Sequence, residues 1–395
     1  MAISLLLGEI IVRIVSPQKL SLNVTQWDPY VGFLNIPNIE GFSRTQDFIM
    51  HVKINSRGLR DREFELSKPS GTFRIGVFGD SFTFGEGVQN EEAYPKILEK
   101  ILKRDTRLIQ SRTNVEVINF GLGKTGTSQQ LALYQQEGTK YDLDCVILGF
   151  LSGNDFTDNW GGVFSLRDDK LIHNAANYSF VRRIQRILYR IPFYGWLATH
   201  SHLVNLFRKA ATLYDDSARM RRAAMAQGGI GKKNSEEEYL MSYLTLRLIK
   251  EFQREVLQNG SSFLIVNLPE KDQKNISDYV GGEAIPQYVV RCEALKFSLI
   301  DKNIRVLDLI PVFSSLSKSH YYFEHDGHMT KCGHQVIASN VYEFVLPEIL
   351  SRESQVHSYL ESDVNHTGGT LQRQETRKNG TFWPLGEGYH IGMNH

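Results

Sequence analysis

The feature that most limits the fold of this chain is a repeated alternation of apolar runs, glycine-bearing loops and helical patterns, which begins at residue 74. Five runs have the length of strands, and they are residues 75–78, 115–120, 145–150, 263–268 and 304–309. The run 145–150 is apolar almost throughout, as is typical of a parallel strand covered on both faces. Strands that alternate with helices in this way predict an α/β fold with a doubly wound, mostly parallel sheet of these five strands.

The segments around this pattern predict the domain organisation. Residues 1–72 carry turn residues and one alternating apolar run that ends at Ile54, and we interpret them as an N-terminal extension with a strand. Residues 73–350 are the predicted main domain, and residues 351–395 form a polar C-terminal tail. Within the domain, the alternation stops for too long to leave a structureless connection, so we predict a helical insertion or cap at 156–260.

The predicted insertion contains an apolar stripe at helical spacing, formed by Phe180, Ile184, Ile187, Leu188 and Ile191. Another face of the same segment carries arginines, which are Arg182, Arg186 and Arg190. Because amphipathic helices usually bury their apolar face against their own domain, we expect this stripe to be core. A lid that lines an acyl pocket or touches lipid is the alternative.

Charge and cysteine content exclude several classes of protein. Lysine and arginine total 45 against 44 aspartate and glutamate residues, so no overall basic field points to nucleic acid. The three cysteines are widely separated, which predicts neither a disulfide framework nor a zinc site. The apolar residues 3–15 are interrupted by Glu9 and Arg13, and we expect neither a cleavable signal peptide nor a complete transmembrane helix there. Association of this stretch with a membrane surface, the compartment and the oligomeric state stay open.

Three short motifs place reactive side chains after predicted strands or before the last helix. Ser81 follows the first strand, in Gly79-Asp80-Ser81-Phe82-Thr83. Asn154 follows the third strand, and His325-Asp326-Gly327-His328 precedes the final helix. Because the carboxyl ends of parallel strands meet at one edge of a sheet, a nucleophile, an amide donor, a base and a carboxylate can converge there.

This order of motifs resembles the SGNH hydrolases, also called GDSL esterases, between about residues 75 and 345 with the insertion excluded. The resemblance implies a flavodoxin-like three-layer α/β/α sandwich. It also implies that Ser81 is the nucleophile, His328 the general base and Asp326 the acid that orients the base. The oxyanion would be bound by the backbone amides of Ser81 and Lys124 and by the side chain of Asn154.

The sequence departs from the family pattern at two places. Only Gly327 separates the late aspartate and histidine, where the family usually has a longer spacing, so Glu324 or Asp308 could be the orienting acid instead. Lys124 stands where the family has its oxyanion glycine. A backbone amide needs no particular side chain, but Gly123 or Gly126 could supply that donor instead.

The resemblance implies a serine ester hydrolase that acts through an acyl-enzyme on Ser81 and needs no cofactor or metal. Its substrate would be a small-molecule, carbohydrate or lipid ester, and O-acyl groups on carbohydrate or lipid are included. An O-acyltransferase that modifies a polysaccharide is one alternative. A non-catalytic binding protein on the same fold is another.

Two other ligand classes are weaker interpretations. Gly121, Gly123 and Gly126 imitate a dinucleotide fingerprint, but the acid that follows, Asp155, comes too late in the sequence. A metal-like cluster also occurs near the last helix, formed by His325, Asp326, His328, Cys332 and His334. Its residues are too crowded in sequence for a closed tetrahedral site.

Overall fold

A computed structural model describes residues 2–367 except 19, 22–23, 175–183, 185–186, 189–190, 192, 227–233, 272, 274–286 and 301–303. The chain divides into two compact units, Met1–Ile349 and Leu350–His395. In the second unit, the described residues 350–367 are helical. The boundaries of the extension, the insertion and the tail stay a prediction.

The described strands are, in chain order, β1 (Leu20–Ser21), β2 (Thr25–Asp28), β3 (Gly32–Asn35), β4 (Glu40–Arg44), β5 (Ile49–Lys53), β6 (Thr72–Gly79), β7 (Asn114–Gly121), β8 (Cys145–Leu151), β9 (Phe164–Arg167), β10 (Lys170–His173), β11 (Ser262–Leu268) and β12 (Arg305–Asp308). The described α-helices are α1 (Ala2–Val15), α2 (Ser81–Phe84), α3 (Tyr94–Leu102), α4 (Thr106–Gln110), α5 (Thr127–Gln136), α6 (Asp155–Trp160), α7 (Tyr194–His200), α8 (His202–Ala226), α9 (Asn234–Gln258), α10 (Gln287–Ile300), α11 (Ile310–Ser314), α12 (Lys318–Tyr321) and α13 (Lys331–Thr367).

A five-stranded sheet in the order β12-β11-β8-β6-β7 forms the centre of the first unit. All four pairings in it are parallel, and helices lie on both faces. Every residue of β6 and β8 is buried, because the sheet is covered on both sides. The predicted α/β/α sandwich is thus confirmed. Strand order reverses between β6 and β8, and open α/β sheets bind ligands at such a switch point.

Helix α9, which lies within the predicted insertion, covers one face of this sheet. Phe252 packs edge-on against Phe78 of β6, with ring centroids 5.6 Å apart, and its ring lies 5.3 Å from that of Phe263 in β11. These rings belong to the main hydrophobic core. This last helix of the 156–260 stretch is therefore part of the connection from β8 to β11, and it belongs to the helical layer on one face of the sheet.

Of the four described residues of the apolar stripe expected to be core, Leu188 is half-buried and the three isoleucines are exposed. Ile184, Ile187 and Ile191 are 38%, 60% and 50% exposed, so the expectation that they pack against their own domain is wrong. Phe180 and the three arginines of the other face lie outside the described residues. The sheet face that such a helix could have covered is occupied by α9.

The N-terminal extension forms two small antiparallel sheets, β1-β4-β5 and the hairpin β2-β3. Strand β5 confirms the strand predicted from the alternating run, since Met50 and Val52 are buried while Ile49 is 57% exposed. Met50, Val52 and Ile54 form an apolar cluster with Phe84, the last residue of α2. The extension thus packs against the helix that begins at Ser81.

Helix α1 is apolar but largely exposed. Gly8 approaches Leu203 of α8, and Glu9 accepts hydrogen bonds from the N–H groups of His202 and Leu203. Its exposed aliphatic side chains range from 46% to 77% in exposure and are Ile3, Leu5, Leu6, Leu7, Ile10, Ile11, Ile14 and Val15. In the described part of the chain, neither α1 nor any other helix is long and apolar enough to cross a bilayer.

Candidate active site

Ser81 begins a helical turn directly after the central strand β6. Asp80 caps this turn, and its Oδ1 accepts a hydrogen bond of 2.9 Å from the N–H of Phe82. The turn lies against the end of β7, where a Cβ on Gly121 would stand only 2.1 Å from the Phe84 nitrogen. Glycine at position 121 is therefore what allows this close approach, which places Ser81, itself partly exposed, at the carboxyl edge of the sheet.

His328 and Asp326 lie in line with Ser81. The Nε2 atom of His328 is 2.8 Å from Ser81 Oγ, and its Nδ1 atom is hydrogen-bonded to Asp326 Oδ1. Gly327, between them, has φ +83°, a left-handed conformation that brings both side chains to one side with a single intervening residue. The short spacing is therefore compatible with a direct contact.

The other carboxylates considered for this role lie elsewhere. Asp308 accepts hydrogen bonds from Asn267 and Lys296. Glu324 is exposed, and its backbone carbonyl accepts a hydrogen bond from Lys271. Among the three, Asp326 is the one hydrogen-bonded to His328.

A buried carboxylate, that of Asp80, connects Asn154 to the helical turn that begins at Ser81. The Nδ2 atom of Asn154 donates to Asp80 Oδ2 at 3.3 Å, which leaves the second hydrogen of the amide for another acceptor. Burial raises the pKa of Asp80 to about 6, against the lowering effect of its hydrogen bond from Phe82. Burial and then the charge of Asp80 raise the pKa of Asp155 well above its ordinary value. Two buried acids thus lie under the site.

The loop after β7 supplies backbone amides near Ser81. A Cβ on Gly123 would lie 4.0 Å from Ser81 Cβ, and Lys124 has a left-handed backbone with φ +64° and an exposed side chain. The N–H of Gly126 donates to Gln129 Oε1 at 3.2 Å, so it is already bonded. Within the described residues, the amides of Ser81, Gly123 and Lys124 donate to no other protein group.

The residues of the metal-like cluster point to different partners. His325 bonds to Asp47, whereas His334 is buried and its Nδ1 accepts a hydrogen bond from the N–H of Tyr94. Burial lowers the pKa of His334 to about 3. Among the residues that the structure describes, no three histidine, cysteine, aspartate or glutamate side chains are grouped to hold a metal ion.

Three further charged residues surround the site, and sequence reasoning missed all of them. Asp47 and Lys271 contact the loop that carries Asp326. Glu270, after β11, lies against Gly153, where a Cβ would be 1.7 Å from the carboxylate oxygen, and burial raises its pKa. Glu270 and Lys271 follow a predicted strand, which was an available signal for a position at this edge. Asp47 lies in an extension with no such signal.

One family model and several solved structures are similar to this chain. A family model described as "SGNH hydrolase-like domain, acetyltransferase AlgX" matches residues 232–384, less than half of the chain. The match includes Asp326 and His328, whereas Ser81 and Asn154 lie outside it. Among curated proteins, no sequence matches the chain.

Several solved structures are similar at low identity. An acetyl xylan esterase is 13% identical at TM-score 0.38, with 69% of this chain and 100% of that chain covered. A lipase/acylhydrolase from Enterococcus faecalis is 13% identical at TM-score 0.36, with 69% and 95% covered. A psychrotrophic esterase from Pseudoalteromonas sp. is 10% identical at TM-score 0.35, with 70% and 98% covered. Similarity at this level says nothing about substrate.

The family model that matches residues 232–384 is of the SGNH hydrolase-like type. This was the family suggested by the order of motifs around Ser81.

Proposed function

We propose that this chain is a serine ester hydrolase of the SGNH type that acts through an acyl-enzyme on Ser81. The observation that carries the proposal is the continuous line of contacts from Asp326 through His328 to Ser81 Oγ. His328 Nε2 takes the hydroxyl proton as Ser81 Oγ attacks the ester carbonyl, and it then returns this proton to the leaving alcohol. Water attacks the acyl-enzyme by the reverse sequence, which regenerates Ser81 and releases the acid.

The oxyanion in this proposal is held by the amides of Ser81 and Lys124 and by the free N–H of Asn154. Gly123 is a candidate donor beside Lys124, because it approaches Ser81 closely and its amide has no partner among the described residues. Gly126 is a poor donor, since its N–H is bonded to Gln129. Each donor of this kind typically contributes about 3 kcal/mol to the stabilisation of the transition state.

Labelling with a fluorophosphonate tests the nucleophile, and a series of p-nitrophenyl esters from acetate to palmitate then defines the acyl chain. The parent should be labelled, and Ser81→Ala should not. Ser152→Ala is the control, because Ser152 follows the neighbouring strand β8 but is bonded to Gln273. An unlabelled parent that turns over no ester would instead favour a non-catalytic binding protein on this fold.

Acyl transfer to a polysaccharide hydroxyl is a second candidate function, because the family model that matches 232–384 carries the description of an acetyltransferase. The first half of the reaction would be the same, and a sugar hydroxyl would replace water in the second half. Incubation with p-nitrophenyl acetate and an acetyl-free polysaccharide separates the candidates. Free acetate as the product indicates hydrolysis, and acetylated polysaccharide indicates transfer.

We also propose that α1 rests on a membrane surface. The helix has 14 residues and is therefore about 21 Å long, and eight of its aliphatic side chains are 46% to 77% exposed. An interfacial helix of this kind lies in the plane of the membrane surface, with its apolar face buried about 5–10 Å into the headgroup and acyl boundary. Arg13 pairs with Glu9, but its side chain is 58% exposed and can face anionic headgroups.

Cosedimentation with phosphatidylglycerol vesicles tests this membrane proposal. Ile10→Glu should lower the bound fraction at least about tenfold. Ile109→Glu, at an isoleucine outside α1 that is 58% exposed against 46% for Ile10, should not lower it. Equal binding by all three proteins would contradict the proposal, as would a parent that dimerises through α1 without lipid.

A further inference from the structure

A turn of the N-terminal extension is hydrogen-bonded to the loop that carries Asp326 and His328. One oxygen of Asp47 accepts hydrogen bonds from the backbone N–H groups of His325 and Asp326, at 2.9 and 2.7 Å. The other oxygen lies 2.9 Å from His325 Nδ1. The side chain of Asp47 is 9% exposed, whereas that of His325 is 55% exposed. A single carboxylate therefore holds consecutive amides just before Gly327.

A lysine holds the same loop by its carbonyl groups. Lys271, which follows β11, donates from Nζ to the backbone oxygens of Phe323 and Glu324, at 3.0 and 2.7 Å. At the base of the loop, the N–H of Phe323 donates to the carbonyl of His328 at 2.8 Å. The carboxylate of Asp47 thus binds N–H groups, and the ammonium group of Lys271 binds carbonyl groups, of one short backbone segment.

Gly327, at the tip of this loop, adds little to hold Asp326 and His328 in place. Gly327 has a left-handed backbone, and a Cβ placed on it would meet nothing within 4 Å. The backbone at Gly327 is therefore not restricted by a side chain. The relative orientation of Asp326 and His328 must be set largely by contacts on either side of Gly327.

The extension also reaches the helical turn that begins at Ser81. Phe48, next to Asp47, packs on Phe323 with ring centroids 5.0 Å apart, and both contact the apolar cluster that includes Phe84. Arg60 is fully buried and donates to the carbonyls of Phe84 and Gly85, at 3.0 and 2.6 Å. The same N-terminal segment therefore contacts both loops that form the Ser81–His328 pair.

We propose that Asp47 is a positioning residue, which aligns Asp326 and His328 with Ser81 by holding the amides of residues 325 and 326. The extension 1–72 is on this view part of the active site. The inference rests on the proposed esterase function, because its effect is read as catalytic turnover.

The test compares variants of the full chain by kcat and KM on the best p-nitrophenyl ester, together with Tm. Asp47→Ala should lower kcat by about tenfold to hundredfold with KM within about twofold, since misalignment of the base acts on the chemical step. Asp47→Asn should recover part of the loss, because its amide oxygen still accepts from a backbone N–H. Lys271→Met, on the opposite side of the loop, should change kcat in the same direction.

Asp28→Ala is the matched control, because Asp28 also accepts two backbone N–H bonds in the extension, each 2.8 Å long, from Tyr30 and Val31. It should leave kcat at the parent value. Parent kcat in Asp47→Ala would overturn the inference, and so would an equal loss in Asp28→Ala. If Asp47→Ala does not fold, Asp47→Asn and Lys271→Met carry the test.

Hydrogen exchange separates failure of this inference from failure of the proposed function. Asp47→Ala should speed exchange at the amides of residues 325 and 326 whether or not the chain hydrolyses esters. A parent without any esterase activity refutes the proposed function alone. Unchanged exchange in an active parent and variant refutes the role of Asp47.

Discussion

The buried carboxyl of Asp80, next to Ser81, should make the protein less stable at neutral pH than in mild acid. Asp80 is fully buried, and burial raises its pKa from 3.8 to about 6. The unfolded chain releases this proton near the ordinary pKa, so the folded state binds the proton more tightly. The resulting stabilisation is complete below about pH 3.8 and is lost as the pH rises through about 6.

The size of this effect follows from the pKa difference. A rise from 3.8 to about 6 corresponds to about 3 kcal/mol of unfolding free energy in all, and about 2 kcal/mol of it falls between about pH 4.5 and about pH 8. Asp80→Asn has no charge to lose. The free energy of unfolding of Asp80→Asn minus that of the parent should therefore increase by about 2 kcal/mol from about pH 4.5 to about pH 8.

Urea unfolding, followed by tryptophan fluorescence at both pH values, measures this difference directly. Ser81→Ala is the control at the adjacent position, because it changes no charge and should shift stability equally at both pH values. Equal shifts in Asp80→Asn at the two pH values would refute the reasoning. The same variant should hydrolyse esters more slowly, since Asn154 loses the carboxylate that orients it.

Three further outcomes are expected. Asn154→Ala should lower kcat about a hundredfold with little change in KM, because its N–H acts mainly in the transition state; a pure KM effect would place Asn154 in substrate binding. His328→Ala should abolish turnover while Asp326→Asn leaves measurable activity, and an unaffected Asp326→Asn would move the orienting role elsewhere. Replacing the exposed Ile184 and Ile187 by serine should leave Tm unchanged. If the hydrolysis of long-chain esters slows while that of acetate esters does not, the stripe contacts the acyl chain. A lowered Tm would show instead that the stripe is core.

The sheet could be predicted from the sequence because its signal is local. Each central strand is a short apolar run between glycine-bearing loops, and the run at 145–150 was apolar enough to indicate burial on both faces. The positions of Ser81 and Asn154 followed, since any residue that ends a parallel strand lies at the same edge. The pairing of His328 with Asp326 required the resemblance as well, because spacing alone left Glu324 and Asp308 open.

Two parts of the structure could not be predicted from local pattern. Asp47 reaches the site through contacts with residues nearly three hundred positions away, which no periodicity encodes. The stripe around Ile187 was expected to be core because helical spacing identifies an apolar face but not what covers it. In the structure, α9 already occupies the sheet face, and the described isoleucines of the stripe remain exposed.

The central claim, an acyl-enzyme on Ser81, is tested most directly by trapping that intermediate. The chain is mixed with p-nitrophenyl acetate, quenched in acid during the first turnover and digested for mass spectrometry. We predict one added acetyl group on the peptide that contains Ser81 in the parent, and none in Ser81→Ala or His328→Ala. Turnover with no acetyl group on that peptide, or with the group on another residue, would contradict the account.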